Sequence, residues 1–133
     1  MTASLLLNPK FDNVILTGLL AGLLSAMTTS FPGGQLPNII DKMLACLSLY
    51  PIIKYLDSFK ANSIVVGLIG TLGTFISGTV FLGSAKLIVG LPVSMKVLMR
   101  GIVIPTTFIN GIGIVFVYGI IRKAIKLSGI ALH

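Results

Sequence analysis

The residues able to do chemistry crowd into positions 28–42, where Phe31, Gln35, Asn38, Asp41 and Lys42 interrupt an otherwise oily chain. The amides of Gln35 and Asn38 can each donate and accept hydrogen bonds. Phe31 can stack on a flat solute, and Asp41 beside Lys42 offers both signs of charge. Pro32, Gly33, Gly34 and Pro37 free backbone amides and carbonyls among them. At membrane depth such backbone is tolerated only where protein buries it or a watery cavity meets it. Broken helices of this kind meet polar solutes, and the start of the following helix can turn its N-terminal dipole toward a carboxylate. Asn110, between Pro105 and the Gly111-Ile-Gly113 run, is a further amide placed to reach a solute. The chemistry on offer is recognition of a small polar or aromatic solute.

Each of these residues also has a reading without a ligand. Asn38 can cap a helix beginning at Ile39, with Asp41 at the third position as in a capping box. Asp41 and Lys42, four residues into that helix, can sit at headgroup level. Asn110 can form an interhelical hydrogen bond, worth about 1 kcal/mol. Thr106 and Thr107 suit the satisfaction of carbonyls freed by Pro105. Tyr50, Tyr55 and Tyr118 suit an interface belt or packing.

Bond-breaking chemistry finds little to work with. The single histidine is His133, and the carboxylates Asp12, Asp41 and Asp57 fall at segment edges. No Ser-His-Asp set, metal-spaced cluster or GxxxxGK loop is present in the sequence. The lone Cys46 permits neither an intrachain disulfide nor a CxxC pair. An enzyme is not expected, and neither a metal nor another cofactor.

The elements that must position these residues follow from composition. A hydrophobic share of 55% against 10% charged residues leaves too few polar side chains to cover a soluble core. The solvent expected is the lipid bilayer. The net charge of +7 sits at the edges of apolar runs, as headgroup-held flanks do, so nucleic acid is not an expected partner. The pattern predicts an all-α, polytopic membrane bundle of about four transmembrane helices, near residues 11–30, 39–56, 64–89 and 94–126, in a single membrane domain 1–133. A broken or re-entrant segment is expected near residues 31–38.

Residues 1–7 are too short to cross about 30 Å of hydrocarbon and read as the tail of something longer. No basic n-region or small-residue cleavage site marks a signal peptide. Gly18, Gly22 and Ala26 form a small-residue face on the first helix, and Gly70, Thr74 and Gly78 belong to a denser one on the third, which is expected at the bundle centre. Residues 57–63 read as a polar turn. Pro51 and Pro105 predict kinks in the second and fourth helices, and the stretch through Gly101 an interfacial entry to the fourth. Lys10, Lys54, Lys60, Arg122, Lys123 and Lys126 fall on one side of the crossings; Lys42, Lys86, Lys96 and Arg100 fall on the other. The richer side is expected in the cytoplasm, with both termini.

Four blocks carry a family resemblance: Leu23-Leu-Ser-Ala-Met-Thr-Thr-Ser-Phe-Pro-Gly-Gly-Gln-Leu-Pro-Asn-Ile-Ile-Asp-Lys42, Ile69-Gly-Thr-Leu-Gly-Thr-Phe-Ile-Ser-Gly-Thr-Val-Phe-Leu-Gly-Ser84, Val89-Gly-Leu-Pro92 and Pro105-Thr-Thr-Phe-Ile-Asn110. From about Leu5 to Lys126 the chain resembles the TrpP-type tryptophan transporters, grouped with the substrate-binding S components of energy-coupling factor (ECF) importers. The resemblance implies tryptophan uptake from the outside through a helical bundle in the cell membrane. It implies a coupling transmembrane subunit and ATPases as partners; a homo-oligomer is the other assembly expected of so few spans. Relatives of this type have about six membrane segments, so the first and most of the second are expected to be missing here. Two other functions stand beside uptake of tryptophan or a similar aromatic solute: a non-transporting assembly subunit, and an N-terminally truncated, inactive fragment.

Overall fold

The computed structural model describes residues 1–56 and 62–129, and every regular element in them is helical. A short helix α1 (Thr2–Leu7) precedes α2 (Phe11–Thr28), α3 (Gln35–Tyr55) and α4 (Ser63–Ile88). A single turn, α5 (Met95–Leu98), then runs through a π-helical segment (Met99–Val103) into α6 (Ile104–Ser128). Four helices are long and apolar enough to cross a membrane, counting α5 to α6 as one. Leu16, Leu20 and Leu24 of α2 and Phe108, Ile112 and Phe116 of α6 point outward, as side chains solvated by lipid do. Of the expected polar turn, residues 57–61 lie outside the described residues, as does His133; Asn62 is described, and its side chain caps α4 by accepting from the Ile64 N–H at 2.9 Å.

The helices pack in chain order. α2 lies on α3, α3 on α4, and α4 on α6, so α4 is flanked on both sides. α2 shares no comparable contact with α6, and the row forms an arc. α1 fills one end of this arc, touching α2, α3, α4 and α6. Leu5 and Leu6, each 1% exposed, meet Val14, Cys46, Leu49, Ile53, Val66, Ile69 and Tyr118 there. These residues come from the start of α2, the end of α3, the start of α4 and the far part of α6, so all lie at one end of the bundle.

Polar side chains fasten that plug. Asn13 donates to the Asn8 carbonyl at 2.8 Å and the Ser4 carbonyl at 3.2 Å, while the Ser4 and Thr17 hydroxyls lie 3.1 Å apart. Between hydrocarbon-facing helices the hydrophobic drive is weak, and such bonds and close packing hold elements together. The close approach of α2 and α3 comes from Gly18, against Met43, and Gly22, whose missing Cβ would stand 3.0 Å from the Ile39 Cα. On α4, Gly70 lies against Ile114 and Gly78 against Val103.

Two sequence expectations about helix starts change. The second long helix begins at Gln35 rather than Ile39, so the break covers Thr29 to Gly34 and not Pro37 or Asn38. Pro37 is accommodated because the first turn of a helix has no use for its missing N–H. The fourth span is not one continuous α-helix: a π-helical turn ends at Val103, and Pro105 stands in the first turn of α6 that follows. Thr107 donates to the Val103 carbonyl at 2.7 Å, while Thr106 turns to a cavity.

Candidate functional site

The end of the bundle opposite the α1 plug is hollow. A cavity of about 500 Å³ opens between α3, α4 and the α5 to α6 segment. That volume falls within the roughly 300–1,000 Å³ of small-molecule sites. Asn38, Asp41 and Lys42 line it from α3, and Thr74, Ser77 and Phe81 from α4. Leu98, Ile102, Val103, Thr106 and Asn110 close the third side.

Its mouth is built by two turns. Pro32 and Gly33 occupy the middle of a tight turn closed by the Gly34 N–H bonding the Phe31 carbonyl at 2.9 Å. Gly33 has φ +68°, and proline followed by a positive-φ glycine is the signature of a type II turn. The Phe31 N–H is also held, by the Thr29 hydroxyl at 3.2 Å. This turn aims the Phe31 ring at Phe81 of α4, edge to face, with centroids 5.4 Å apart. Across the mouth, Gly90 ends the turn after α4 with φ +84°, and Val89 packs on Gly33. Thr29, Phe31 and Pro92 all line the cavity.

The floor carries the charges. Asp41 is 1% exposed, and Lys42 Nζ donates to its Oδ2 at 2.6 Å. Lys42 Nζ donates equally to the Ser77 hydroxyl at 3.0 Å, and Ser77 donates onward to Asp41 Oδ1. Asp41 stands six residues beyond Gln35, roughly 9 Å along the axis at 1.5 Å per residue. Ser77 lies near the middle of α4. The pair therefore lies inside the bundle, about two helical turns beyond the start of α3, with Asp41 enclosed by protein. A buried ion pair is costly to desolvate and is held here by a hydroxyl that satisfies both members.

The capping reading of Asn38 is corrected by the same helix start. Gly34 is the N-cap, and Asn38 sits inside the first turn and a half of α3, where its Nδ2 donates back to the Gly34 carbonyl at 2.8 Å. Asp41 makes no capping box; it faces α4. Phe31, Asn38, Asp41 and Asn110 thus meet in one cavity, while Gln35 is exposed and outside its lining. Thr74 lines the cavity as well as donating to the Gly70 carbonyl at 3.0 Å. Ser77 and Phe81 also line the cavity and were not singled out by sequence: nothing marks Ser77 above the other small polar residues of its Gly/Thr/Ser-rich run, or Phe81 above Phe75 in the same run.

A second cavity, of about 440 Å³, lies toward the plug and reaches Met1, Thr2, Ile114 and Val117. Lys42, Thr74, Ser77 and Asn110 line both cavities and form the partition between them. Among the described residues no group of three or more His, Cys, Asp and Glu side chains could hold a metal.

The family described as "Tryptophan transporter TrpP" matches residues 1–126. A probable tryptophan transport protein of Clostridium acetobutylicum is 43% identical over 124 residues, covering 92% of this chain and 72% of that protein. Proteins described in the same words from Bacillus subtilis and Clostridium perfringens are 37% identical over 129 residues and 36% over 135. Those matches cover 96% and 95% of this chain and 74% of each relative. No solved structure matches.

Proposed function

The chain belongs to the TrpP tryptophan transporter family, and from that premise we propose that it is the solute-binding subunit of a tryptophan uptake system in the cell membrane. It is a multi-pass membrane protein of a transport family. The observation that supports a binding role is the cavity of about 500 Å³, apolar on most of its walls and charged at its floor. In this reading Phe31, Asn38, Asp41 and Asn110 face the solute, and the apolar residues Phe81, Leu98, Ile102 and Val103 surround its ring.

Both termini lie in the cytoplasm in this proposal, on the strength of the basic residues counted along the sequence. The mouth at residues 29–34 and 89–92 then opens to the outside, where an imported solute arrives. The role is binding and translocation without catalysis. Energy would come from a coupling transmembrane subunit with its ATPases, as in ECF importers, because the chain has no phosphate-cradling loop of its own.

Isothermal titration of the purified chain in detergent tests the reading, with L-tryptophan as solute and L-leucine as control. Saturable, tryptophan-selective heat is expected. Its absence from folded protein would remove the assignment.

A further inference from the structure

We propose that Asp41 and Lys42 act as a two-pronged clamp for the charged end of a zwitterionic α-amino acid. This deepens the binding role above and rests on it. When the solute enters, Lys42 Nζ turns from Asp41 to the solute carboxylate, and Asp41 takes the solute ammonium in its place.

Three observations carry the assignment. The first is charge balance. Asp41 and Lys42 are the ionisable residues among those lining the cavity, so its lining is neutral in sum but strongly dipolar at one point. A solute with one charge would leave one member of the pair unpaired among mostly apolar walls, which is penalised. A solute with both charges replaces the pair on equal terms.

The second is the unequal anchoring of the two members. Asp41 is 1% exposed and fixed by the Ser77 hydroxyl, whereas the Lys42 side chain is 22% exposed and lines both cavities. Its long stem can carry the ammonium away while Asp41 stays in place. Two of the three lysine N–H donors are used, on Asp41 and Ser77, which leaves one for an arriving carboxylate.

The third is that the pair is not a by-product of helix geometry. Neighbouring residues on a helix point about 100° apart and do not face each other. The contact forms because Lys42 folds back beneath the cavity onto Asp41 and Ser77. Apolar walls of Phe31, Phe81, Leu98 and Ile102 stand beside that point, where a side chain attached to the zwitterion would lie.

The test is a titration panel on the purified chain in detergent: L-tryptophan, tryptamine, indole-3-propionate, indole and L-leucine. The clamp requires tryptophan to exceed both one-charge analogues on the order of 100-fold, the cost of leaving a buried charge unpaired. Lys42→Met leaves the anion, so tryptamine should overtake tryptophan; Asp41→Asn leaves the cation, so indole-3-propionate should. The double variant Asp41→Asn/Lys42→Met has no buried charge to destabilise it and should bind indole as well as tryptophan. Equal binding of tryptophan and its one-charge analogues by the unaltered chain would overturn the clamp and leave the tryptophan reading standing. So would a parallel loss of all affinities in the variants, with no change of order. Leucine bound and tryptophan refused would overturn the tryptophan reading alone, provided the variants lose leucine. Binding of no amino acid would overturn both.

Discussion

The Ser77 hydroxyl of α4 donates to Asp41 on α3 while accepting from Lys42 Nζ at 3.0 Å, so one small side chain closes the charged floor of the cavity. Removing it as Ser77→Ala leaves a buried carboxylate oxygen without its donor. The expected loss is about 1–3 kcal/mol of stability, the usual cost of stranding a buried polar group. A lowered thermal midpoint in detergent checks this, with Ser84→Ala as control: the Ser84 hydroxyl bonds only carbonyls of its own helix, so that midpoint should hardly move.

Phe31 and Gln35 are close in sequence and differ in placement: one lines the cavity, the other is exposed outside it. Phe31→Ala should weaken tryptophan binding by roughly 10- to 100-fold, as loss of an aromatic wall worth about 1.4–2.8 kcal/mol would. Gln35→Ala should leave the affinity within about threefold, since surface changes away from a site rarely exceed 0.5 kcal/mol. Titration of both variants side by side decides the matter; an equal loss in the two would contradict the site.

At the mouth, Gly33 has φ +68° and no room, because a Cβ there would stand 2.8 Å from Val89 Cγ1. Gly90 has φ +84° and open space around it. Gly90→Ala should therefore cost about 1–2 kcal/mol, the backbone penalty alone. Gly33→Ala should cost more and should also speed release of bound solute by displacing Phe31. Thermal melts and dissociation rates measured on the two variants separate backbone strain from the clash.

Gly22 and Gly113 make the same comparison within helices. A Cβ at Gly22 would stand 3.0 Å from the Ile39 Cα, whereas none of the atoms around Gly113 comes within 4 Å. Gly22→Ala should cost about 1–3 kcal/mol by prising α2 from α3, as overpacking does. Gly113→Ala should be neutral or stabilise by up to about 1 kcal/mol, the helix preference of alanine over glycine. Melting temperatures that fall alike in both would show that the seam does not depend on close approach.

The four spans were legible because uninterrupted apolar runs long enough to cross hydrocarbon leave few alternatives. The break was legible too, from Pro32, Gly33 and Gly34. Its far edge was not, because Pro37 looks like part of an interruption and is in fact tolerated in a first helical turn. That shift of four residues, from Ile39 to Gln35, places Asp41 in the second turn of the helix and not at its third residue, and the packing of α4 against it buries it. Ser77 and the packing of α1 were invisible for a different reason. A hydroxyl in a run of small residues, or a six-residue helix before a turn, acquires its role only from a neighbour distant in sequence.

The adjacency of Asp41 and Lys42 in the chain also bears on how the protein is made. α3 is the least apolar of the four spans. A lone charge in an inserting helix costs up to about 2.5–3.5 kcal/mol, the figure for the helix centre, and Asp41 and Lys42 lie about a third of the way along α3. Ser77 follows Lys42 by 35 residues, which at about 5–20 residues per second is roughly 2–7 s of synthesis. Through that interval α3 has no serine from α4 to lean on. Neighbours of opposite charge can neutralise each other within the nascent segment itself, so the helix that brings the binding charges into the membrane can enter it before its partner has been translated.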